Sequence, residues 1–267
     1  MIEITSINNP VVKEINALKT RKGRWTKGLY LVEGYKMITE AIRESGLIVK
    51  LIINSDFIDA PETASLISGM EAKTDAIITN SRLFSRLSAM DSPQGVMALI
   101  KMKIKTIKEF PGKGRFLFLD GLQDPGNCGT IIRSADAFGF NGLVIGPGSV
   151  DPFNPKAVQA SMGSILRSSL YFTHDGASDL EKLKAKGYKV ASTSMEGSVV
   201  LKEYEFTDRD IVIIGNEGCG ISKEIFDICD QRITIPMPGK AESLNAGVAA
   251  SLIMYEASLN SRLSVEF

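Results

Sequence analysis

The sequence predicts an α/β fold in two parts, and three observations carry that prediction. Short runs of β-branched and aromatic residues alternate with stretches whose apolar residues recur at helical spacing, as an α/β domain requires. The alternation lapses in the Lys-, Pro- and Gly-containing stretch 101–114 and restarts at Arg115, giving a front part of residues 1–105 and a back part of 106–267. In the back part the strand runs are almost continuously apolar, the pattern of a mostly parallel sheet covered on both faces.

Within the front part, Asn9-Pro10 opens a helix with Pro at the favoured first position, and Val11, Val12, Ile15 and Leu18 follow at helical spacing. The chain then enters Lys19-Thr-Arg-Lys-Gly-Arg-Trp-Thr-Lys-Gly28, which reads as a basic, Gly-broken loop holding the single Trp. Lys19, Arg21, Lys22, Arg24, Trp25 and Lys27 are candidate nucleic-acid contacts, cations for phosphate and an indole for base stacking. The competing reading is a solvated turn whose Trp25 packs on its own domain. Strands follow at 29–33, 49–53, 76–79 and 94–100, with helices at 34–45, 62–68 and 81–89 between them. Stretch 101–114 is a linker or a connecting edge segment.

The back part repeats the alternation. Strands are expected at 115–119, 142–145, 168–172, 188–193, 211–214 and 233–235, and helices at 130–138, 156–161, 178–186 and 222–229. A last helix starts at Ser243, which stands where an N-cap would. Pro236, Pro238 and Gly239 stop the final strand, and the Ala/Gly/Ser start of the last helix lets another backbone come close.

Composition narrows the function. The 267 residues are 44% hydrophobic and 23% charged, ordinary for a globular chain, and the formal net charge is zero. Charge is uneven: residues 1–110 hold 16 Lys/Arg against 12 Asp/Glu, leaving 15 against 19 in the rest, so the front is the basic end. Three cysteines without a CxxC pair argue against a disulfide framework or zinc site and for a reducing compartment. No secretory leader or membrane span is read, so a cytoplasmic protein without a metal is expected. No GxGxxG follows a strand and no GxxxxGK[ST] occurs, so dinucleotide and P-loop readings lack their phosphate cradle. His174, the one histidine, reads as a turn residue.

Three polar, Gly-rich segments at strand ends remain: Asp124-Pro-Gly-Asn-Cys-Gly-Thr-Ile-Ile-Arg133, Gly215-Asn-Glu-Gly-Cys-Gly220, and the loop 236–245. In open α/β sheets ligands bind beyond the carboxyl ends of strands, so the three can share a pocket. Each has a plainer reading: Gly215–Gly220 as a turn, Asn127 as a helix cap, Arg133 as a surface ion-pair residue. The residues alone lead to an α/β enzyme with a Gly-rich ligand pocket and an arginine on its buried side.

Taken in order, the segments resemble the three signature motifs of the SpoU (TrmH-type) family of RNA 2′-O-ribose methyltransferases, in the SPOUT superfamily. The first reads Asp124-Pro-Gly-Asn127-x-Gly129-x-x-x-Arg133-x-Ala135, the second Gly215-Asn-Glu217-Gly-x-Gly220, and the third Ile235-Pro236-Met237-x-Gly239 with Ser243-Leu244-Asn245. Glu33-Gly34 and Gln94-Gly95-Val96 make the front part similar to the ribosomal-protein-like RNA-binding domain of many members. The resemblance implies a deep trefoil knot in the back part, a homodimer through it, and S-adenosylmethionine as cofactor. It places the cofactor at Thr193, Gly215, Gly220, Ile235, Pro236 and Leu244, and catalysis at Arg133, Asn127, Glu217, Ser243 and Asn245. Ala246-Gly247 departs from the family's common Val-Ser, a change to helix packing more than to chemistry. The implied reaction moves a methyl group from a sulfonium to a ribose 2′-hydroxyl of structured RNA, ribosomal RNA before tRNA. Arg133 has been assigned as a base in the family, but a guanidinium with a pKa above ~12 suits a clamp on phosphate or developing alkoxide. The rival is a catalytically silent RNA-binding protein of ribosome assembly on the same scaffold; its mark would be loss of Asn127, Arg133, Glu217 or Asn245, and all four are present.

Overall fold

The computed structural model describes residues 1–44, 46–70, 74–194 and 199–260. Contacts divide the chain into two compact units, residues 1–102 with 151–167, and 103–150 with the chain from Ser168 onward.

The front unit is a five-stranded mixed sheet with helices. Strands β1 (Ile2–Ile4), β2 (Leu29–Glu33), β3 (Ile48–Asn54), β4 (Asp75–Thr79) and β5 (Val96–Lys101) lie in the order β1-β4-β3-β5-β2. β4 runs parallel to β1 and β3, and β5 runs antiparallel to β3 and β2. Helices α1 (Pro10–Ala17), α2 (Arg21–Lys27), α3 (Tyr35–Arg43), α4 (Pro61–Gly69) and α5 (Ser81–Leu87) connect them. Val12, Ile15 and Leu18 meet Leu83, Phe84 and Leu87 over Ile52, Met97 and Leu99 in one apolar core.

Two expectations for the front part change. The sequence showed no strand before the first helix, yet Ile2–Ile4 adds β1 at the sheet edge. The basic stretch after Lys19 is a helix, not a loop. Thr20 caps it through its hydroxyl, which accepts from the Gly23 N–H at 3.1 Å, and Gly28 ends it in the left-handed region at φ 65°. Gly23 does not break this helix but lets it fold back on α1: a Cβ there would lie 1.9 Å from the Ala17 carbonyl oxygen.

Residues 151–167 lie beyond position 106 in the chain yet pack with the front unit. Electrostatics explains it. Arg24 is only 2% exposed, and Asp151 Oδ2 accepts from its Nη2 at 2.6 Å and its Nε at 2.8 Å. Arg24 Nη1 also donates to the Leu18 carbonyl at 2.8 Å, while Asp151 Oδ1 takes the Phe153 N–H at 3.0 Å. A buried charge so fully paired is costly to separate. Phe153 stacks against Tyr30 with ring centroids 5.0 Å apart, beside β2.

The back unit is an eight-stranded sheet, all of whose pairings among the described residues are parallel. In chain order its elements are β6 (Lys105–Thr106), β7 (Gly114–Leu119), α6 (Pro125–Ala137) and β8 (Gly142–Ile145). Helix α7 (Pro155–Ala160), which belongs to the front unit, intervenes before β9 (Leu170–Phe172), α8 (Gly176–Ala185), β10 (Lys189–Thr193) and β11 (Val199–Val200). Then come β12 (Arg209–Ile214), α9 (Lys223–Ile228), β13 (Gln231–Thr234) and α10 (Ala246–Asn260). The sheet order is β11-β13-β10-β12-β7-β8-β9-β6, so β6 makes stretch 101–114 a connecting edge segment. Apolar strands fill the core as the sequence suggested: Phe116, Phe118, Ile211 and Ile213 pack with Tyr171 and Tyr188. Short β11 was not expected, and β13 starts two residues before the expected strand, leaving Ile235 in the loop. Among the described residues, no helix is long and apolar enough to cross a membrane.

Candidate active site at the ends of four parallel strands

Strands β13, β10, β12 and β7 are consecutive neighbours and all parallel, so their carboxyl ends form one rim. The three polar segments leave from that rim: 120–129 from β7, 215–220 from β12 and 235–245 from β13. Sheet order therefore gathers residues that lie more than a hundred positions apart.

A cavity of about 660 Å³ opens there. Ile214, Ile233, Ile235, Met237 and Leu244 give it apolar walls, and Gly215, Gly218 and Gly220 leave main chain exposed to it. Glycine is required at Gly215, where a Cβ would lie 2.5 Å from the Gly220 carbonyl carbon. Asn216 closes that turn: its main chain exchanges two hydrogen bonds with Gly220, both 2.9 Å, and its Oδ1 accepts from the Gly218 and Cys219 N–H groups. Its Nδ2 donates to the Gly121 carbonyl at 2.8 Å, tying the loop after β12 to that after β7. Asp120 adds a second tie, accepting the Ser222 N–H at 2.6 Å. Neither Asn216 nor Asp120 was singled out from sequence; their signal was adjacency to Glu217 and to the end of an apolar strand.

A chain of hydrogen bonds joins all three segments. Glu217 accepts from the Gln123 N–H at 3.0 Å, the Asp124 N–H at 3.1 Å and Asn127 Nδ2 at 2.9 Å. Asn127 Oδ1 accepts from Asn245 Nδ2 at 2.8 Å, and Asn245 Oδ1 accepts the Gly247 and Val248 N–H groups. Burial pushes the Glu217 carboxyl up, but the hydrogen bonds from Gln123, Asn127 and Asp124 outweigh it and hold it below the usual carboxylate range.

These contacts correct two capping expectations. Helix α6 begins a turn earlier than expected, at Pro125, and Asp124 caps it by accepting the Asn127 N–H at 2.7 Å. Asn127 thus stands inside the first turn with its amide free to link Glu217 and Asn245. At the last helix Asn245, not Ser243, is the cap, because the helix starts at Ala246. Ser243 lies on the cavity wall.

Of the expected cofactor residues, Thr193, Gly215, Gly220, Ile235 and Leu244 line the cavity, whereas Pro236 is exposed and not on its wall. Glu217, Ser243 and Asn245 also line it. Thr193 turns its hydroxyl onto the Ile213 carbonyl at 3.1 Å. Arg133 is not on a buried side: it is an exposed residue of α6 with no hydrogen bond or ion pair among the described residues. Its helical position explains this, since the next residue, Ser134, faces α10, with Oγ 2.8 Å from Ser251 Oγ, and Arg133, a residue earlier on the helix, is left outward. Among the described residues no cluster of His, Cys, Asp and Glu could hold a metal ion. His174 is an exposed residue between β9 and α8.

In the front unit Arg21, Lys22 and Lys27 are exposed on α2, and Trp25 is half-buried. Lys19 is exposed and donates to the Arg86 carbonyl at 2.7 Å. Arg24 is a correction: its guanidinium is spent on Asp151 and Leu18 in the interior and is closed to RNA.

Comparison with known proteins identifies the family. Residues 114–255 match the SpoU rRNA Methylase family, and residues 9–98 match the MRM3-like substrate binding domain. The chain is 30% identical to the 23S rRNA (guanosine(2553)-2′-O)-methyltransferase RlmP of Bacillus subtilis, over 96% of this chain and 98% of that protein. It is also 30% identical to a 23S rRNA (uridine(2479)-2′-O)-methyltransferase of Streptomyces viridochromogenes, over 95% and 91%. Among solved structures, the AdoMet-bound rRNA methyltransferase from Sinorhizobium meliloti superposes with a TM-score of 0.87 at 28% identity, over 97% of this chain and 98% of that one. The linked strand-end motifs, the parallel sheet and these likenesses lead to one conclusion: the chain belongs to the SpoU rRNA methylase family of RNA methyltransferases.

Proposed function

We propose that the protein methylates a ribose 2′-hydroxyl in ribosomal RNA with S-adenosylmethionine as methyl donor. The observation that carries this reading is the Glu217–Asn127–Asn245 chain, which locks the three motif segments around the 660 Å³ cavity. The cavity suits the donor. Its apolar walls fit an adenine ring, and its lining holds two carboxylates, Glu217 and Glu242, and no Lys or Arg. That charge favours a cationic ligand without phosphates over a nucleotide. Thr193, Gly215, Gly220, Ile235 and Leu244 would hold it, largely through main chain, with Pro236 shaping the loop. When bound, the group supplies an electrophilic methyl on a sulfonium.

The chain's own residues do the rest. Glu217 already accepts three hydrogen bonds, so it acts as a strut between loops. Asn127 and Asn245 pass that rigidity to the start of α10, and the Ser243 hydroxyl, unbonded among the described residues, is free to orient the ribose. Arg133, exposed and unpaired among the described residues, offers a planar fork of donors for an RNA phosphate or the developing alkoxide. Lys19, Arg21, Lys22, Lys27 and Trp25 grip RNA from the front unit.

A second copy of the chain belongs in this reading. Val248, Leu252, Tyr255 and Leu259 lie on one face of α10 and are 46%, 40%, 49% and 60% exposed. An apolar stripe along a helix that is also buried on its other side calls for a partner surface. The sheet order supports the deep trefoil knot: β13 lies outside β10, and the chain then returns so that α10 packs along α6. Three free cysteines suit a reducing cytoplasm.

The test is methyl transfer at saturating RNA by Arg133→Ala and Arg133→Lys. A bidentate fork predicts that both variants fall by about 10²–10³-fold. Full turnover by Arg133→Ala would remove Arg133 from the chemistry.

A further inference from the structure

A second cavity, of about 560 Å³, lies wholly within the front unit, between the end of β2, the turn after α5 and helix α7. Its volume is in the range of small-ligand sites. Its apolar lining includes Met90, Val158 and Met162, and its polar lining includes Glu33, Asp91, Gln159 and Lys156. Glu33 is 7% exposed and fixed in place: its carboxylate accepts the Ala89 N–H at 2.7 Å and the Ser88 hydroxyl. The side chains of Asp91, Gln159 and Lys156, by contrast, make no hydrogen bond or ion pair among the described residues. One anchored carboxylate thus stands beside three uncommitted polar groups.

Backbone strain marks the same place. Met162, at φ 50°, is the single non-glycine residue at positive φ among the described residues. The turn is held on both sides by Met162 N–H to the Gln159 carbonyl at 3.2 Å and Ser164 N–H to the Ser161 carbonyl at 3.0 Å. Glycine would adopt this conformation without cost, so a methionine there keeps its side chain at the expense of its backbone. Met162 is 37% exposed and on the cavity wall.

We propose that this cavity receives an unpaired guanine of the RNA substrate. Flat rings are well served by Met90 and Met162, whose thioethers are soft, adaptable and attracted to aromatic edges. Guanine presents two adjacent donors, N1–H and N2–H₂, to a carboxylate such as that of Asp91, and Gln159 can answer its O6 or N7 acceptor. Lys156, exposed at the rim, suits the attached phosphate. Uracil is disfavoured, because its single imino donor sits between two carbonyls that would face carboxylates. Single-stranded RNA is read in this manner, by bases splayed from the stack and bonded on their edges. The proposal rests on the RNA-substrate reading above and adds a base preference outside the methyl-transfer site.

The test uses the full chain with ¹³C-methyl methionine, titrated with GMP and with UMP. GMP is expected to shift the Met90 and Met162 methyl signals, while Met237 reports separately on the other cavity. UMP is expected to bind there roughly tenfold more weakly or worse, and Asp91→Asn to abolish the preference, as loss of a paired edge contact should. Met162→Gly, which relieves the backbone, is expected to weaken GMP binding while leaving the fold intact. Shifts confined to Met237, no shift at all, or equal binding of GMP and UMP would overturn the proposal. Methyl transfer to ribosomal RNA by the unsubstituted chain is read alongside. Transfer without a guanine preference would reject the cavity and keep the enzyme; a guanine preference without transfer would do the reverse.

Discussion

At the scale of single residues, two arginines exchange the roles expected of them. Arg133 is exposed and unpaired among the described residues, so Arg133→Ala should leave thermal stability within about 0.5 kcal/mol while turnover collapses. Arg24 is the opposite case. Removing it strands Asp151 in the interior, and Arg24→Ala should destabilise the fold by about 3–5 kcal/mol in denaturant unfolding, against less than about 0.5 for Arg21→Ala. Sequence could not separate Arg24 from its basic neighbours, because its partner lies 127 positions away. Asn127, Glu217 and Asn245 were legible as a motif, but their mutual hydrogen bonds needed the sheet to assemble. Glu217 carries a pH signature. Its folded-state value is lowered, so its ionisation stabilises the fold above the unfolded carboxylate value of about 4.3 and that contribution is lost as pH falls through the folded value. The gap in melting temperature between the unsubstituted protein and Glu217→Gln should therefore narrow between pH 7 and pH values below about 4.

Among elements, regular strands and helices were the most legible, since apolar runs bounded by Gly and Pro mark them directly. Elements fixed by tertiary contact were not. Helix α2 reads as a loop because Gly23 looks like a breaker; only its approach to Ala17 shows why glycine is there. Gly23→Ala should cost about 1–3 kcal/mol of stability, the usual penalty for overpacking. The start of α10 was misplaced by the competition between two capping residues, Ser243 and Asn245, which only hydrogen bonding decides. The exposed stripe on α10 yields its own expectation. Leu252→Glu should convert the proposed dimer to a monomer in analytical ultracentrifugation, with an intact fold by circular dichroism; an unchanged dimer would move the partner surface elsewhere.

For the whole molecule, the proposed division of labour between units predicts the behaviour. RNA affinity should fall with salt, and Lys22→Ala and Lys27→Ala should each reduce the slope of log Kd against log salt by about 1. Cofactor affinity should be unaffected by either. Deleting residues 1–102 alone is a poor probe, because residues 151–167 would lose the surface against which Phe153 and Val158 are buried. Chain order hid that arrangement: the sequence shows where elements start, not which sheet a crossover packs on. The proposed knot is likewise invisible to periodicity, being an exception to the rules of chain connection. The most direct measurement is incubation of the full chain with methyl-labelled S-adenosylmethionine and ribosomal RNA, followed by nuclease digestion and mass spectrometry of the nucleosides. The expected result is label in a single 2′-O-methylnucleoside, lost with Arg133→Ala; label on a base, or cofactor bound with no transfer to RNA, would contradict it.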